Sequence, residues 1–233
     1  MKKTLVALAV AAALVPSLAM AEAGDIVVRL RATHISADES SSLGRTTDAS
    51  YGAAVAASPL YGDANAELRV DSNTIPEIDF SYYITKNIAA ELILATGTRH
   101  DVKTTGTHDQ NLGSVNLLPP TLTLQWHFNP DQTIDPYVGA GLTYVRAMDN
   151  GLHLNGSVPV DIRINRNTWG PAIQAGFDYN LENKWLINFD VKKLWFDTTV
   201  EGNTGGAVKA GWQKIDQLDV DPWVVSVGFG KKF

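Results

Sequence analysis

The chain has 233 residues, 45% of them hydrophobic, with 19 lysines and arginines against 25 aspartates and glutamates and no cysteine. The acidic balance argues against a nucleic-acid partner, and the lack of cysteine excludes disulfides, thiolate metal sites and cysteine nucleophiles. Beyond the N-terminal segment no apolar run reaches the length of a membrane-spanning helix, so a membrane-embedded mature chain has to cross as strands; only helices and closed barrels satisfy their backbone groups in lipid.

Met1, Lys2 and Lys3 precede an apolar run from Leu5 to Leu14, then Pro16 and Ala19-Met20-Ala21. This pattern predicts a secretory signal peptide over residues 1–21, cleaved after Ala21, and one domain over residues 22–233. The mature chain keeps 17 basic and 25 acidic residues, a formal charge of −8.

The first predicted strand, Ile26 to His34, sets Ile26, Val28, Leu30 and Ala32 against Val27, Arg29, Arg31 and Thr33. The arginine face would be solvated in a soluble sandwich and luminal in a small barrel. Residues 36 to 72, with Ser40-Ser41-Ser42, Gly44, Gly52, Pro59 and Gly62, predict a long loop with room for a short hairpin. The second strand, Thr74 to Ile84, sets Ile78, Phe80, Tyr82 and Ile84 against Glu77, Asp79, Ser81 and Tyr83. Thr85-Lys86-Asn87 turns tightly into the third, where Ile88, Ala90, Leu92 and Leu94 oppose Ala89, Glu91, Ile93 and Ala95.

Residues 97–115 predict a second long polar loop. The fourth strand, Leu118 to Phe128, alternates strictly: Leu118, Pro120, Leu122, Leu124, Trp126 and Phe128 oppose Pro119, Thr121, Thr123, Gln125 and His127. Its two prolines have no N–H for a neighbouring strand. A turn over Asn129 to Thr133 leads to the fifth strand, where Val138, Ala140, Leu142 and Tyr144 oppose Tyr137, Gly139, Gly141 and Thr143. After a loop over residues 147–167, the sixth carries Trp169, Pro171, Ile173, Ala175, Phe177 and Tyr179 on one face. A turn at Leu181 to Lys184 opens the seventh, with Trp185, Ile187, Phe189 and Val191 opposite Leu186, Asn188, Asp190 and Lys192. A glycine-rich loop, Glu201 to Gly211, precedes the eighth, which carries Trp223, Val225, Val227 and Phe229 and ends at Phe233.

Three features select an all-β, eight-stranded antiparallel transmembrane barrel over a soluble sandwich. The connections alternate long and short, as short periplasmic turns and long extracellular loops do. Aromatic residues on the apolar faces fall at strand ends, giving an outer belt of Trp169, Trp195 and Trp223 and a periplasmic belt of Trp126, Phe128, Tyr179, Trp185 and Phe233. The chain also ends in phenylalanine after an alternating apolar strand, similar to the signal read by the outer-membrane assembly machinery. Lys193 has lipid-facing parity and predicts either a side chain snorkelling at the outer rim or a bulge at Lys192-Lys193.

The segments Asn87-Ile-Ala-Ala-Glu-Leu-Ile-Leu-Ala-Thr96, Leu117-Leu-Pro-Pro-Thr-Leu122, Pro136-Tyr-Val-Gly-Ala-Gly141, Asp149-Asn-Gly151 and Leu218-Asp-Val-Asp-Pro-Trp223 resemble the OmpW family of outer-membrane proteins, which includes the AlkL alkane importers. The resemblance covers essentially the whole mature chain. It implies a Gram-negative outer-membrane location and a narrow hydrophobic lumen that passes small apolar molecules and releases them sideways into the membrane lipid. Where the family carries an aromatic inner residue on the seventh strand this sequence has Lys192, so a purely hydrophobic gate does not carry over.

An eight-stranded barrel is just wide enough for its own side chains to fill. Arg29, Arg31, Glu77, Asp79, Glu91, Asp178, Asp190 and Lys192 supply charges that pair across the axis as a polar plug. Ile93, Ala95, Leu194 and Phe196 predict an apolar funnel in the outer half. Leu118, Pro119 and Pro120, at the funnel's depth, mark a place where missing hydrogen bonds part the wall. Together these make the expected substrate path.

Two other functions compete. A lipid-modifying enzyme needs a serine activated by histidine near the outer rim; His34 with Ser36 to Ser42, or His100, His108 and Ser114, offer the residue types without a recognisable spacing. A structural or receptor barrel would put the function in its extracellular loops. His100-Asp101 and His108-Asp109 read as solvated loop rather than metal ligands, no cofactor is implied, and eight strands give no reason to expect more than a monomer.

Overall fold

The computed structural model describes residues 22–51, 63–95, 98–106, 109–149, 151–155, 159–206 and 211–233. The predicted signal peptide lies outside them, as do Gly52, Pro59, Gly62, Gly97 and His108. The elements are β1 (Ile26–Ser36), α1 (Leu43–Tyr51), β2 (Glu67–Val70), β3 (Asn73–Tyr83), β4 (Ile88–Ala95), β5 (Thr98–Thr105), β6 (Gln110–Leu118), β7 (Thr121–His127), β8 (Ile134–Asp149), β9 (Gly151–Leu154), β10 (Val160–Ile164), β11 (Asn167–Asn180), β12 (Trp185–Leu194), β13 (Asp197–Asn203), β14 (Gln213–Asp219) and β15 (Trp223–Lys232).

Eight strands close a barrel in the order β1-β3-β4-β7-β8-β11-β12-β15, with β15 returning to β1. Every pair is antiparallel, so no edge is left unpaired in lipid. The alternation in the sequence becomes a wall with apolar residues outside: Leu122, Leu124, Leu142, Val227 and Phe229 are each about half exposed. Trp169 and Tyr179 lie at opposite ends of β11; ten residues of a tilted strand separate them by roughly 25 Å, the height of an outer-membrane apolar band. Short turns close the periplasmic end, where Asn183 takes the left-handed conformation (φ 57°) open to asparagine in the tight link between β11 and β12.

The predicted long loops are largely strands. Residues 98–118 form the hairpin β5–β6, which carries the wall of β4 and β7 onward. Residues 151–164 and 197–219 supply β9, β10, β13 and β14, a second antiparallel sheet. Within residues 36–72, read as a long loop with room for a short hairpin, the described residues form α1 and β2, and β2 pairs with β5. The fourth predicted strand is interrupted at Pro119-Pro120, so that Leu118 ends β6 and Thr121 begins β7.

The apolar face changes side partway up the wall. Along β8, Val138 and Leu142 point outward, while Val145 and Ala147 are buried inside and Arg146 and Asp149 are outside. Along β6 and β7, Leu122 and Leu124 face out below the prolines, and Leu112 and Val115 are buried inside above them. The largest buried apolar cluster therefore lies in the outer half; Leu43, Leu68, Leu152, Leu154, Ile162 and Ile215 are among its members. The lower half is lipid-facing barrel, and the upper half packs like a water-soluble sheet protein.

Candidate functional site

The lower lumen is filled with paired charges. Arg29 on β1 forks onto Asp178, with Nε 3.2 Å from Oδ1 and Nη2 2.6 Å from Oδ2. Its Nη1 donates to Asp79 at 3.0 Å and to the Ser81 hydroxyl at 2.6 Å. Arg31 lies 2.6 Å from Glu77, 2.9 Å from Asp79 and 3.3 Å from Glu91. Lys192 reaches Asp190 at 2.6 Å and Glu77 at 3.5 Å. All eight predicted plug residues are buried, and successive inward positions of adjacent strands bring them together across the axis.

Several partners escaped sequence reasoning because neutral polar residues carry no distinctive signal. Gln125 and Gln174 each donate an amide hydrogen to Glu91 Oε2 at 2.9 Å, and the Tyr137 hydroxyl donates to Asp190 at 2.8 Å. At the periplasmic end His127 is 2.7 Å from Asp135 and its ring lies between those of Tyr83 and Tyr137. Parity alone marked Gln125, His127, Tyr137 and Asn188 as inward. The facing groups of His127, Asp135 and Asp178 lie within 4.8 Å of one another, but the fork from Arg29 already engages both Asp178 oxygens.

Above the plug lies a cavity of about 60 Å³, lined mostly by apolar side chains. Glu77 and Lys192 contribute to its floor; Ile93, Ala95, Leu194 and Phe196, the predicted funnel residues, all line it. So do Ile35, Val145 and Val224 from the barrel, together with Val70 and Leu117 from the outer strands that were read as loop. Pro119 faces the cavity, whereas Leu118 and Pro120 lie outside its lining.

Beside Pro119 the pairing between the described residues of the wall is interrupted. The β4–β7 pairing ends at Ile93 opposite Thr121 and the β5–β6 pairing begins at Thr98 opposite Leu117, one residue out of step. In an antiparallel strand alternate residues bond to alternate neighbours, and Pro120 already faces β8, its carbonyl accepting from Tyr144 N–H at 2.9 Å. Pro119 is therefore the one residue between Leu117 and Thr121 that addresses β4. It has no N–H, and its carbonyl accepts the Thr121 hydroxyl at 3.3 Å. The Thr98 hydroxyl closes the upper margin onto the Leu117 carbonyl. From Leu117 to Thr121 is about 13 Å of strand, bordered inside by the cavity and outside by the apolar face.

A curated sequence profile described as the OmpW family matches residues 22–233. The chain belongs to the OmpW family. Outer membrane protein W of Escherichia coli K12 is 38% identical over 167 residues, 70% of this chain and 75% of that one. Outer membrane protein AlkL of Ectopseudomonas oleovorans is 29% identical over 168 residues, 70% of this chain and 68% of the relative. Among solved structures, OprG of Pseudomonas aeruginosa superposes with a TM-score of 0.73 at 29% identity, covering 91% of this chain and 97% of OprG. An OmpW-family barrel belongs in the Gram-negative outer membrane, and its lipid-facing wall is accounted for accordingly.

The aromatic residues of both expected belts are exposed at the strand ends. Lys193 sits at the outer rim, donating to the Asp221 carbonyl at 2.6 Å and to Asp38 at 3.1 Å. The β11–β12 register runs through Lys192 and Lys193 without a bulge, which leaves the snorkelling alternative. Among the described residues no serine–histidine pair suits a nucleophile. His34 bonds the Thr74 hydroxyl, His100 the Asp71 carbonyl, and Ser114 accepts from Arg99. His100 is buried while Asp101 is exposed, so these neighbours point to opposite faces.

Proposed function

We propose that this OmpW-family barrel is a non-enzymatic conduit that admits small hydrophobic molecules from outside and releases them sideways into the outer membrane. The observation that carries this reading is the apolar cavity resting on a charged plug and meeting the wall where Pro119 interrupts the pairing. A hydrophobic molecule in the cavity would have to desolvate the plug's ion pairs to continue down the axis, and charge is very costly to expose to an apolar neighbour. The lateral route exchanges one apolar environment for another. The family resemblance implies the same traffic, with Ile93, Ala95, Leu118, Pro119, Pro120, Leu194 and Phe196 along the path and Lys192 at its floor. The chain acts as a monomer, and the exposed terminal Phe233, hydrogen-bonded through its backbone to Ile26, serves as the assembly signal.

The test is a Pro119→Ala, Pro120→Ala double variant in a strain lacking its own copy. The variant regains an N–H at each position and should fold with an unchanged unfolding midpoint, while uptake of a hydrophobic substrate falls. Undiminished uptake by the folded variant would refute lateral exit.

A further inference from the structure

On two adjoining strands the lipid-facing band ends in an ordered change of chemistry. Along the outward face of β8 come Leu142, Tyr144 and Arg146, and β11 sets Pro171, Trp169 and Asn167 directly opposite them. Leu142 is 57% exposed and Trp169 66%. The Tyr144 and Trp169 rings lie 4.6 Å apart, and the Tyr144 hydroxyl donates to Asn167 Oδ1 at 2.5 Å. Arg146 and Arg166 are both exposed, and the Arg166 carbonyl accepts Ala147 N–H at 2.8 Å. That pairing puts the two arginine Cα atoms about 6–7 Å apart. Elsewhere in the outer half cations meet carboxylates: Arg69 meets Glu67, Lys103 Asp71, Arg163 Glu201 and Lys193 Asp38. Among the described residues Arg146 and Arg166 have no such partner.

We propose that Arg146 and Arg166 hold the phosphate of an outer-leaflet lipid whose chains and headgroup backbone lie against Leu142 and the Tyr144–Trp169 pair. Successive outward residues of a tilted strand rise about 5 Å along the membrane normal. Acyl chain, headgroup backbone and phosphate therefore meet apolar, aromatic and cationic side chains in the order in which a lipid presents them. Guanidinium groups fork onto phosphate oxygens, and amphipathic rings favour the lipid–water boundary. Charge selects a lipid-borne phosphate over a free one. The mature chain is acidic, and carboxylates flank the arginines: Asp149 further along β8, and Asp197, Asp219 and Asp221 around the pocket beside Trp169. They discourage a diffusing anion, whereas a lipid delivers its phosphate at this depth and stays in the leaflet. The inference stands apart from the conduit reading, although Leu118 pairs with Arg146, so that the bound lipid lies beside the proposed exit.

Native mass spectrometry of the purified barrel released from micelles tests this, with titration by diphosphoryl lipid A and by the same glycolipid stripped of its phosphates. Wild type should bind the diphosphoryl form about tenfold more tightly, the scale of one charge-assisted contact. The double variant Arg146→Gln, Arg166→Gln should lose that preference. Both side chains are exposed, so the variant should fold, which heat-modifiability gels check; if it does not, the wild-type comparison decides alone. Trp169→Ala should weaken both glycolipids together and keep the preference, and unchanged affinity there overturns the aromatic contact. Equal wild-type affinity for the two glycolipids, or an undiminished preference in the folded double variant, overturns the proposal. Displacement of the lipid by millimolar inorganic phosphate would assign the arginines to a free anion and overturn it too. Binding is read without transport, so a failed uptake test on the proline variant leaves all of these outcomes unchanged.

Discussion

Replacing Arg29 with methionine removes the residue that binds the plug together. The side chain is fully buried, and with it go the two-bond fork to Asp178, the contact to Asp79 and the bond to Ser81. Asp79 keeps Arg31 at 2.9 Å, but Asp178 loses its guanidinium fork and keeps the amide of Asn188 at 2.8 Å. The cost expected for orphaning a buried charge in this way is about 3–5 kcal/mol. Removing both charges with Arg29→Met and Asp178→Leu should recover most of it, since a buried ion pair is often replaced by apolar groups of similar volume without loss. Guanidinium unfolding of the purified barrel in lipid, followed by tryptophan fluorescence, gives the midpoints. A single variant within about 1 kcal/mol of wild type, or a double variant at the sum of the two singles, would refute the account of the plug as coupled pairs.

Other outcomes follow from the upper half. Asp216 is buried and accepts from the Ser41 hydroxyl, the Ser42 N–H and the Ser42 hydroxyl at 2.6, 2.7 and 2.7 Å, fastening the start of α1 to β14. Asp216→Ala should free α1 at a cost of about 1–3 kcal/mol for the orphaned groups, read as faster protease cleavage within residues 43–51 while the barrel midpoint stays fixed; equal cleavage rates would contradict it. Burial, then the nearby carboxylates Asp221, Asp197 and Asp216, raise the Asp219 carboxyl above its usual range. A raised carboxyl favours folding at low pH, and that advantage is lost as pH rises through its folded value. Asp219→Asn should therefore be slightly more stable than wild type at neutral pH and lose the gain on acidification; a gain that persists in acid refutes it. At Gly170 a Cβ would run into the Trp195 carbonyl, so Gly170→Val should lower the yield of folded barrel on heat-modifiability gels, and a normal yield would show that the two strands can separate there.

The membrane-facing barrel was legible because lipid outside and paired charge inside write a period of two that no other environment imposes for so long. Arg29, Arg31, Glu77 and Asp79 were placed in the lumen from parity alone, and their mutual contacts needed only the closure of eight strands. The outer half was obscured by the reversal of that code. Leu152 and Leu154, or Val160, Ile162 and Ile164, alternate as plainly as Leu122 and Leu124, but in runs of four or five residues between glycines and prolines, which resemble loop. Glycines such as Gly113, at φ 117°, suggested irregular chain where they bend a hairpin. The proposed exit illustrates a different limit: the missing donor of Pro119 was visible, but that its carbonyl accepts the Thr121 hydroxyl depends on which neighbour each residue addresses.

The reversal of the apolar face partway up β8 and β6–β7 also restricts how the protein rides in its bilayer. Arg99, Asp101 and Lys103 project outward directly above the lipid-facing band, so the chain cannot sink to meet a thicker hydrocarbon layer without taking bare charges into it. At the other margin Lys231 lies over the rings of Trp185 and Phe233 and can reach further toward water. Adjustment to thickness is therefore one-sided, with the periplasmic rim yielding and the outer rim holding its level. The proposed exit would stay at a fixed depth in the outer leaflet whatever lipid surrounds it, which suits a thin outer membrane and predicts poor accommodation in a thick, sterol-like one.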